Sequence, residues 1–139
     1  KRADLTPGAI DYRIDRMNRA LPAALDEAPP TLVEAMPITE HDRHVLALAV
    51  HVEADSIITF NLHDFPADAC EPHGIEVVDP DNFAVAMVEI DPARVHAALS
   101  DIARRRTRPA MTVHEILDRL AAVLPTFVSR VRAASSGTE

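Results

Sequence analysis

The sequence predicts an α/β fold in which a parallel sheet is flanked by helices and is followed by a C-terminal helical extension. A helical pattern that leads directly into a short apolar run lies between Thr39 and Pro66. A second short apolar run spans residues 75–78, beyond a turn-rich connection. After residue 90 only helical patterns occur. Short apolar runs that alternate with helical patterns are typical of parallel strands joined by crossovers.

The N-terminal part is predicted to be helical. Thr6 is a suitable N-cap and Pro7 suits the first helical position, so we expect a helix over residues 7–25. Its apolar stripe has helical spacing and consists of Ile10, Ile14, Met17 and Leu21. Pro29-Pro30 ends any helix there, and residues 31–36 fit either a short helical turn or an extended piece.

The central segment is predicted to pass from helix to strand. Thr39 is a plausible N-cap, with Asp42 three residues later as a short capping box, and a helix is expected over residues 44–52. Residues 53–55 interrupt the helical pattern. The following run contains two adjacent isoleucines and predicts a buried parallel strand over residues 57–60.

The next elements are a second strand and two helices that begin with an aspartate and a proline. The strand is expected over residues 75–78, and Asp79 opens a helix expected over residues 80–88. Asp91-Pro92 repeats the same start signal, and arginines follow the helix that it begins.

The C-terminal segment carries a clear helix start. Thr112 and Glu115 form a capping box, and Pro125 bends or restarts the helix that follows. Residues 135–139 are small and polar, so we expect them to be disordered.

Three oxygen-bearing side chains are the candidate site. Asn61 stands where the first strand should end, Asp64 follows one turn later, and Asp42 opens the preceding helix. Ligands of open parallel sheets bind beyond the carboxyl ends of the strands, so these side chains can share one edge. Each also has a purely structural interpretation: Asp42 could complement the helix dipole, and Asn61 and Asp64 could shape turns.

The central segment resembles the second half of a PIN domain. The residues that carry the resemblance are DRHVLA at 42–47 and ADSIITFNLHDFP at 54–66, and they are most similar to VapC-like bacterial toxins. The resemblance continues through residues 74–77 and 80–83. It implies a PIN-like domain over residues 1–90, lacking its first strand, and a helical extension over residues 91–139.

The resemblance also implies a chemistry and a set of partners. Proteins of this family hydrolyse RNA with one or two Mg²⁺ or Mn²⁺ ions, which Asp42, Asn61 and Asp64 would hold here. The family's first-strand Asp and a later Glu are expected upstream of Lys1. A second copy or another chain would then complete the domain, so an oligomer or complex is expected. The expected protein partner is a cognate antitoxin. The alternative function is a non-catalytic PIN-like remnant that only binds the antitoxin.

The charge of the chain restricts how it could meet RNA. With 22 acidic and 14 basic side chains, the net charge is −8, so nucleic acid is not attracted in general. The cluster Arg104, Arg105 and Arg106 could contact phosphate or an acidic partner, or could simply complement a helix dipole. His63, beside Asp64, is a weaker candidate for substrate contact.

Two further observations concern compartment and zinc. The single cysteine, Cys70, excludes an intramolecular disulfide, and no apolar run has the length of a membrane span, so a cytoplasmic protein is expected. His44 and His51 lie on one helix face, but neither a Cys nor a four-residue His spacing accompanies them, which disfavours zinc.

Overall fold

The computed structural model describes residues 6–137, and these form eight α-helices and two β-strands. The helices are α1 (Pro7–Ala20), α2 (Pro30–Ala35), α3 (Arg43–His51), α4 (Ala67–Cys70), α5 (Pro80–Ile90), α6 (Pro92–Arg105), α7 (Val113–Leu120) and α8 (Pro125–Ser136). The strands are β1 (Ser56–Ile58) and β2 (Glu76–Val78). The mixed α/β class predicted from the sequence is therefore confirmed.

The chain divides into two compact units between Asp55 and Ser56. Helices α1, α2 and α3 belong to the first unit, and both strands and the other five helices belong to the second. The PIN-like assignment of residues 1–90, with a helical extension over residues 91–139, stays a prediction.

Helix α1 starts as predicted but ends earlier. The Thr6 hydroxyl accepts a hydrogen bond from the Ala9 N–H at 3.1 Å. The helix was expected to reach Leu25 but stops at Ala20, because Leu21 precedes Pro22 and a residue before proline disfavours helical angles. The side chains of its apolar stripe are between 42% and 66% exposed, and no residue of α1 is buried.

Among the described residues of the first unit, four side chains are buried, and three of them, Leu46, Ala47 and Ala49, lie in helix α3. Leu46 and Ala47 are fully buried, and α2 packs against α3. Thr39 is not the N-cap: the helix begins at Arg43, preceded by Asp42, and the Thr39 carbonyl instead accepts the Asp42 N–H in a turn at 3.0 Å. Two cap-competent residues three positions apart compete here, and local preference does not choose between them.

The second unit begins with the predicted parallel strand pair. Ser56 pairs with Glu76, Ile57 with Val77 and Ile58 with Val78. The first strand was expected to continue to Phe60, but it ends at Ile58 because β2 has no residue left to pair. Asp79 already caps α5, and the last ladder contact is from the Thr59 N–H to the Val78 carbonyl at 3.0 Å.

Helices α5 to α8 pack around a common apolar core. Its buried members are Val88, Leu99, Met111, Ile116, Leu117, Phe127, Val128 and Val131. The predicted caps are present at all three helix starts: Asp79 accepts from the Asn82 N–H, Asp91 from the Arg94 N–H and Thr112 from the Glu115 N–H.

The ends of these helices differ from the predictions in two places. Helix α5 continues to Ile90, two residues beyond the expected end. Helix α8 restarts at Pro125 as expected but includes Ser135 and Ser136, which were expected to be disordered. Their hydroxyls donate to the carbonyls of the preceding turn, at 3.0 and 3.1 Å. Residues 138–139 of that expectation lie outside the described part of the chain.

Candidate functional site

Asp42 occupies the position just before α3. Its carbonyl accepts the Val45 and Leu46 N–H groups at 3.1 and 3.3 Å, so its backbone starts the helix. Its half-buried carboxylate makes no cap to the helix amides, and within residues 6–137 it accepts a hydrogen bond only from the Thr39 hydroxyl, at 3.3 Å. A carboxylate at a helix N-terminus is stabilised by the helix dipole, and this one keeps acceptor capacity for a cation.

Asn61 and Asp64 lie in the loop that follows β1. The Asn61 N–H donates to the Thr59 hydroxyl at 3.0 Å, and the Asn61 carbonyl accepts the Asp64 N–H at 3.1 Å. These bonds form a tight 3₁₀ turn over Leu62–Asp64. The Asp64 carboxylate, about one third exposed, lies 3.2 Å from the Nε2 atom of the exposed His63. The turn therefore places an amide and a carboxylate directly beyond the strand's carboxyl end.

The three predicted ligands belong to different units. Asp42 is in the first unit, whereas Asn61 and Asp64 are in the second. Their convergence stays a prediction. Among residues 6–137, no three His, Cys, Asp or Glu side chains lie together in a group that could hold a metal. The predicted set contains two carboxylates and one amide oxygen. These hard oxygen donors fit Mg²⁺ in type, but they supply only part of an octahedral shell.

The predicted basic cluster lies at the end of α6. Arg104 and Arg105 both pair with Asp101 one turn earlier, the latter through Nε at 3.0 Å. Both guanidinium groups are in the helix's last turn, where they complement its dipole. Arg106 is the C-cap residue, and its side chain is exposed.

Asp81 has a bridging role that the sequence analysis missed. Its carboxylate accepts the N–H groups of Thr126 at 3.1 Å and Phe127 at 2.8 Å, and so caps α8 from the start of α5. Partial desolvation raises the pKa of Asp81, but the hydrogen bonds from Phe127 and Thr126 outweigh it, and the pKa is lowered overall. The only local signal was a carboxylate in the first turn of a helix, which points to that helix's own dipole.

Asp118 links α7 to α8 in a similar way. Its carboxylate accepts a hydrogen bond from the Arg132 guanidinium at 2.6 Å. The other carboxylate oxygen lies 3.6 Å from the Nε2 atom of His114. The bond from Arg132 lowers the pKa of Asp118 most, against some desolvation, and the charges of His114 and Arg132 lower it further.

A cavity of about 490 Å³ opens beside β2 and α4 in the second unit. The Cys70 thiol lines it together with Glu71, Glu76 and apolar side chains. Burial raises the pKa of Cys70, and the neighbouring Asp68 raises it further, so the environment favours the thiol over the thiolate.

Two comparisons with known proteins point to the same family. Residues 80–133 match the family model of the VapC50 C-terminal domain. Over 101 residues, the chain is 35% identical to a curated Mycobacterium tuberculosis protein named "Putative ribonuclease VapC50". The chain belongs to the VapC-like family. The alignment covers 73% of this chain and 60% of the relative's length.

The VapC-like assignment rests on sequence, since no solved structure matches the chain. The segment that matches the C-terminal domain model spans α5 to α7 and most of α8, the helices that share one core. No helix within residues 6–137 is long and apolar enough to cross a bilayer.

Proposed function

We propose that this chain carries part of the active site of a VapC-like toxin that is a divalent-cation-dependent endoribonuclease. The observation that supports the proposal most is the turn after β1, where Asn61 and Asp64 present oxygen atoms beyond the strand end in a chain of this family. Asp42, whose carboxylate accepts a hydrogen bond from the Thr39 hydroxyl, is the third ligand in this proposal.

Each residue would have a defined task. Asp64 and Asp42 would bind Mg²⁺ or Mn²⁺ through charged oxygen atoms, and Asn61 would add its amide oxygen without charge. Bound at this site, the cation supplies a Lewis acid that polarises the scissile phosphate and lowers the pKa of water. His63 is exposed beside Asp64 and can donate a hydrogen bond to an RNA phosphate.

The number of donors limits what the chain can do alone. Mg²⁺ prefers six oxygen ligands and is usually held by carboxylates together with water. Two carboxylates and an amide would leave it mostly hydrated and weakly bound. We therefore propose that an Asp and a Glu from outside this sequence, on another chain or another part of the protein, complete the site. The toxin assignment adds a cognate antitoxin as partner.

RNA cleavage and Mn²⁺ binding test the proposal together. The chain should be assayed alone and with a second chain that supplies an Asp and a Glu. Cleavage in Mg²⁺ is expected only from the complex. Asp42→Asn and Asp64→Asn should each abolish it without changing the circular dichroism spectrum, because the cation loses a charged ligand. Asp68→Asn, at an exposed carboxylate in the same unit as Asp64, is the matched control and should cleave normally.

The possible results separate the two functions considered. If the double variant of Asp42 and Asp64 cleaves RNA as fast as the unmodified complex, the activity lies elsewhere. If the complex forms but neither binds Mn²⁺ nor cleaves RNA, the chain is a binding module rather than a nuclease subunit.

A further inference from the structure

An apolar groove crosses α5, α6 and α7 on the outside of the four-helix core. It has a volume of about 340 Å³, and apolar side chains supply its entire exposed lining. Its walls include Phe83 and Met87 of α5, Val95, Ala98 and Ile102 of α6, and Leu120 of α7. A second depression of about 280 Å³ shares Met87, Val95 and Ala98 with the groove and extends it to Ile90 and Arg94.

Four side chains of the groove and of the depression that extends it are well exposed, although Leu99 and Phe127 of the groove lining belong to the buried core. Phe83 is 39% exposed, Met87 37%, Ile102 45% and Ile90 76%. Contiguous apolar surface of this kind usually marks an interaction site. Val95, Ala98 and Ile102 lie at intervals of three and four along α6, and Met87 and Ile90 lie three apart on α5. Two neighbouring helices with such spacing form a trough that accepts a third helix.

The four-helix region has a positive net charge, whereas the whole chain has a negative one. Residues 80–137 contain eight arginines and six carboxylates, although the whole chain has a net charge of −8. Every one of the six carboxylates already has a hydrogen bond or an ion pair. These carboxylates are Asp81, Glu89, Asp91, Asp101, Glu115 and Asp118.

In the described part of the chain, only half of the eight arginines in the same region form ion pairs. Arg104, Arg105, Arg130 and Arg132 have carboxylate partners. Within residues 6–137, the guanidinium groups of Arg94, Arg106, Arg108 and Arg119 make no hydrogen bond or ion pair. Arg94 lies in the first turn of α6 and Arg106 directly follows its last turn, so they flank the groove-lining face of α6 from both ends.

We propose that this groove binds an acidic amphipathic helix of a partner protein. The partner's apolar stripe would lie in the trough, and its carboxylates would pair with Arg94 at one end and with Arg106 or Arg108 at the other. Twelve residues separate Arg94 from Arg106, which is about 18 Å along a helix. The acidic groups of the partner should therefore cluster about three helical turns apart.

Two other occupants fit the surface less well. A second copy could offer its exposed α1 stripe, but α1 carries Arg13, Arg16 and Arg19 against Asp11 and Asp15, so its excess charge has the same sign as the groove's flanks. RNA would satisfy the arginines. However, RNA would leave most of the apolar trough uncovered. A base can stack on exposed Phe83, but Phe127, the other aromatic side chain of the lining, is buried.

Designed peptides test the proposal on the intact chain. The probe is a fluorescein-labelled helix of about 15 residues, with leucines at positions i, i+4, i+7 and i+11 and glutamates near both ends, measured by fluorescence anisotropy. The same peptide with lysines in place of the glutamates should bind at least about 10-fold more weakly. A version with glutamines in place of the leucines should not bind. Added salt should weaken the acidic peptide's binding.

Matched variants locate the binding surface. Ile102→Gln should weaken binding of the acidic peptide about 10-fold or more. Val123→Gln, at a similarly exposed apolar residue outside the groove lining, should leave it unchanged. The pair Arg94→Gln and Arg106→Gln should remove most of the salt dependence, whereas Arg13→Gln in α1 should not.

Several results would overturn the proposal. One is equal binding of the acidic and lysine peptides, and another is no binding of either. Sedimentation showing a self-associated chain that Ile102→Gln converts to a monomer would assign the groove to a second copy. A single-stranded RNA that binds more tightly than the acidic peptide, with a dependence on the arginines but not on Ile102, would assign the arginines to RNA.

Discussion

Replacement of Leu117 by alanine tests the packing of the four-helix region that carries the groove. Leu117 lies on the inner face of α7 and is 5% exposed. It belongs to the same core cluster as Val128 and Val131 of α8, which are 2% and 0% exposed. The substitution removes three carbon atoms from the core. Because the surrounding side chains are held on helices, they cannot move freely to fill the cavity.

The expected loss of stability follows from this burial. Transfer of three carbons back to water corresponds to about 2.4 kcal/mol, at ~0.8 kcal/mol for each buried methylene. The cavity that remains raises the destabilisation to about 3–4 kcal/mol. A loss of that size is a large part of a small domain's total stability of about 5–15 kcal/mol.

Denaturant unfolding followed by circular dichroism at the helix band is the appropriate assay. The chain contains no tryptophan, and its single tyrosine, Tyr12, lies in α1 of the first unit. Val123→Ala is the matched control, since Val123 is 53% exposed and should lose less than about 0.5 kcal/mol. Equal unfolding midpoints for the Leu117 and Val123 variants would refute the packing of α7 described here.

Two further predictions concern a helix end and the response to acid. Glu53 has a φ of 55°, in the left-handed region, where it ends α3 while the Ala54 N–H donates to the Ala49 carbonyl at 2.9 Å. Glycine adopts this conformation without strain, so calorimetry should find Glu53→Gly about 1 kcal/mol more stable than Glu53→Ala, and the reverse order would contradict the assigned backbone. Folding lowers the pKa values of Asp81 and Asp118. Each ionised carboxylate therefore stabilises the fold above its unfolded pKa of about 3.9. That stabilisation is lost as the pH falls through the folded pKa. The double variant Asp81→Asn with Asp118→Asn should therefore show a flatter loss of melting temperature below pH 4 than the unmodified chain, and an unchanged slope would show that other carboxylates control acid unfolding.

The features that the sequence predicted correctly depend on contacts between near neighbours in the chain. Asp79, Asp91 and Thr112 each cap the N–H group three residues later. Such a cap is complete within one turn and needs no information from the rest of the fold. The same holds for Pro125, which sits in the first turn of α8, where its missing N–H has no consequence.

The incorrect boundaries depend on partners that the local pattern does not contain. The apolar run predicted a strand to Phe60, but a strand extends only as far as its neighbour, and β2 ends where Asp79 starts a helix. The stripe of α1 was correct in spacing but its side chains stay exposed, because periodicity identifies an apolar face and not what covers it.

The contacts that hold α8 in place show most clearly what a sequence pattern leaves out. Asp81 reaches the Phe127 amide across 46 positions, and Glu89 meets Arg130 across 41, so neither pair has a sequence spacing that would reveal it.

The candidate cation ligands depend on both local and non-local contacts. The turn that presents Asn61 and Asp64 is built from hydrogen bonds within a few residues, which is why the sequence alone could place them at a strand end. Bringing Asp42 to the same cation depends on packing between two units, for which the chain has no comparable local signal. Mn²⁺ affinity of the assembled complex, compared between Asp42→Asn and Asp64→Asn, therefore tests the non-local step: a loss confined to Asp64→Asn would leave Asp42 as a helix start alone.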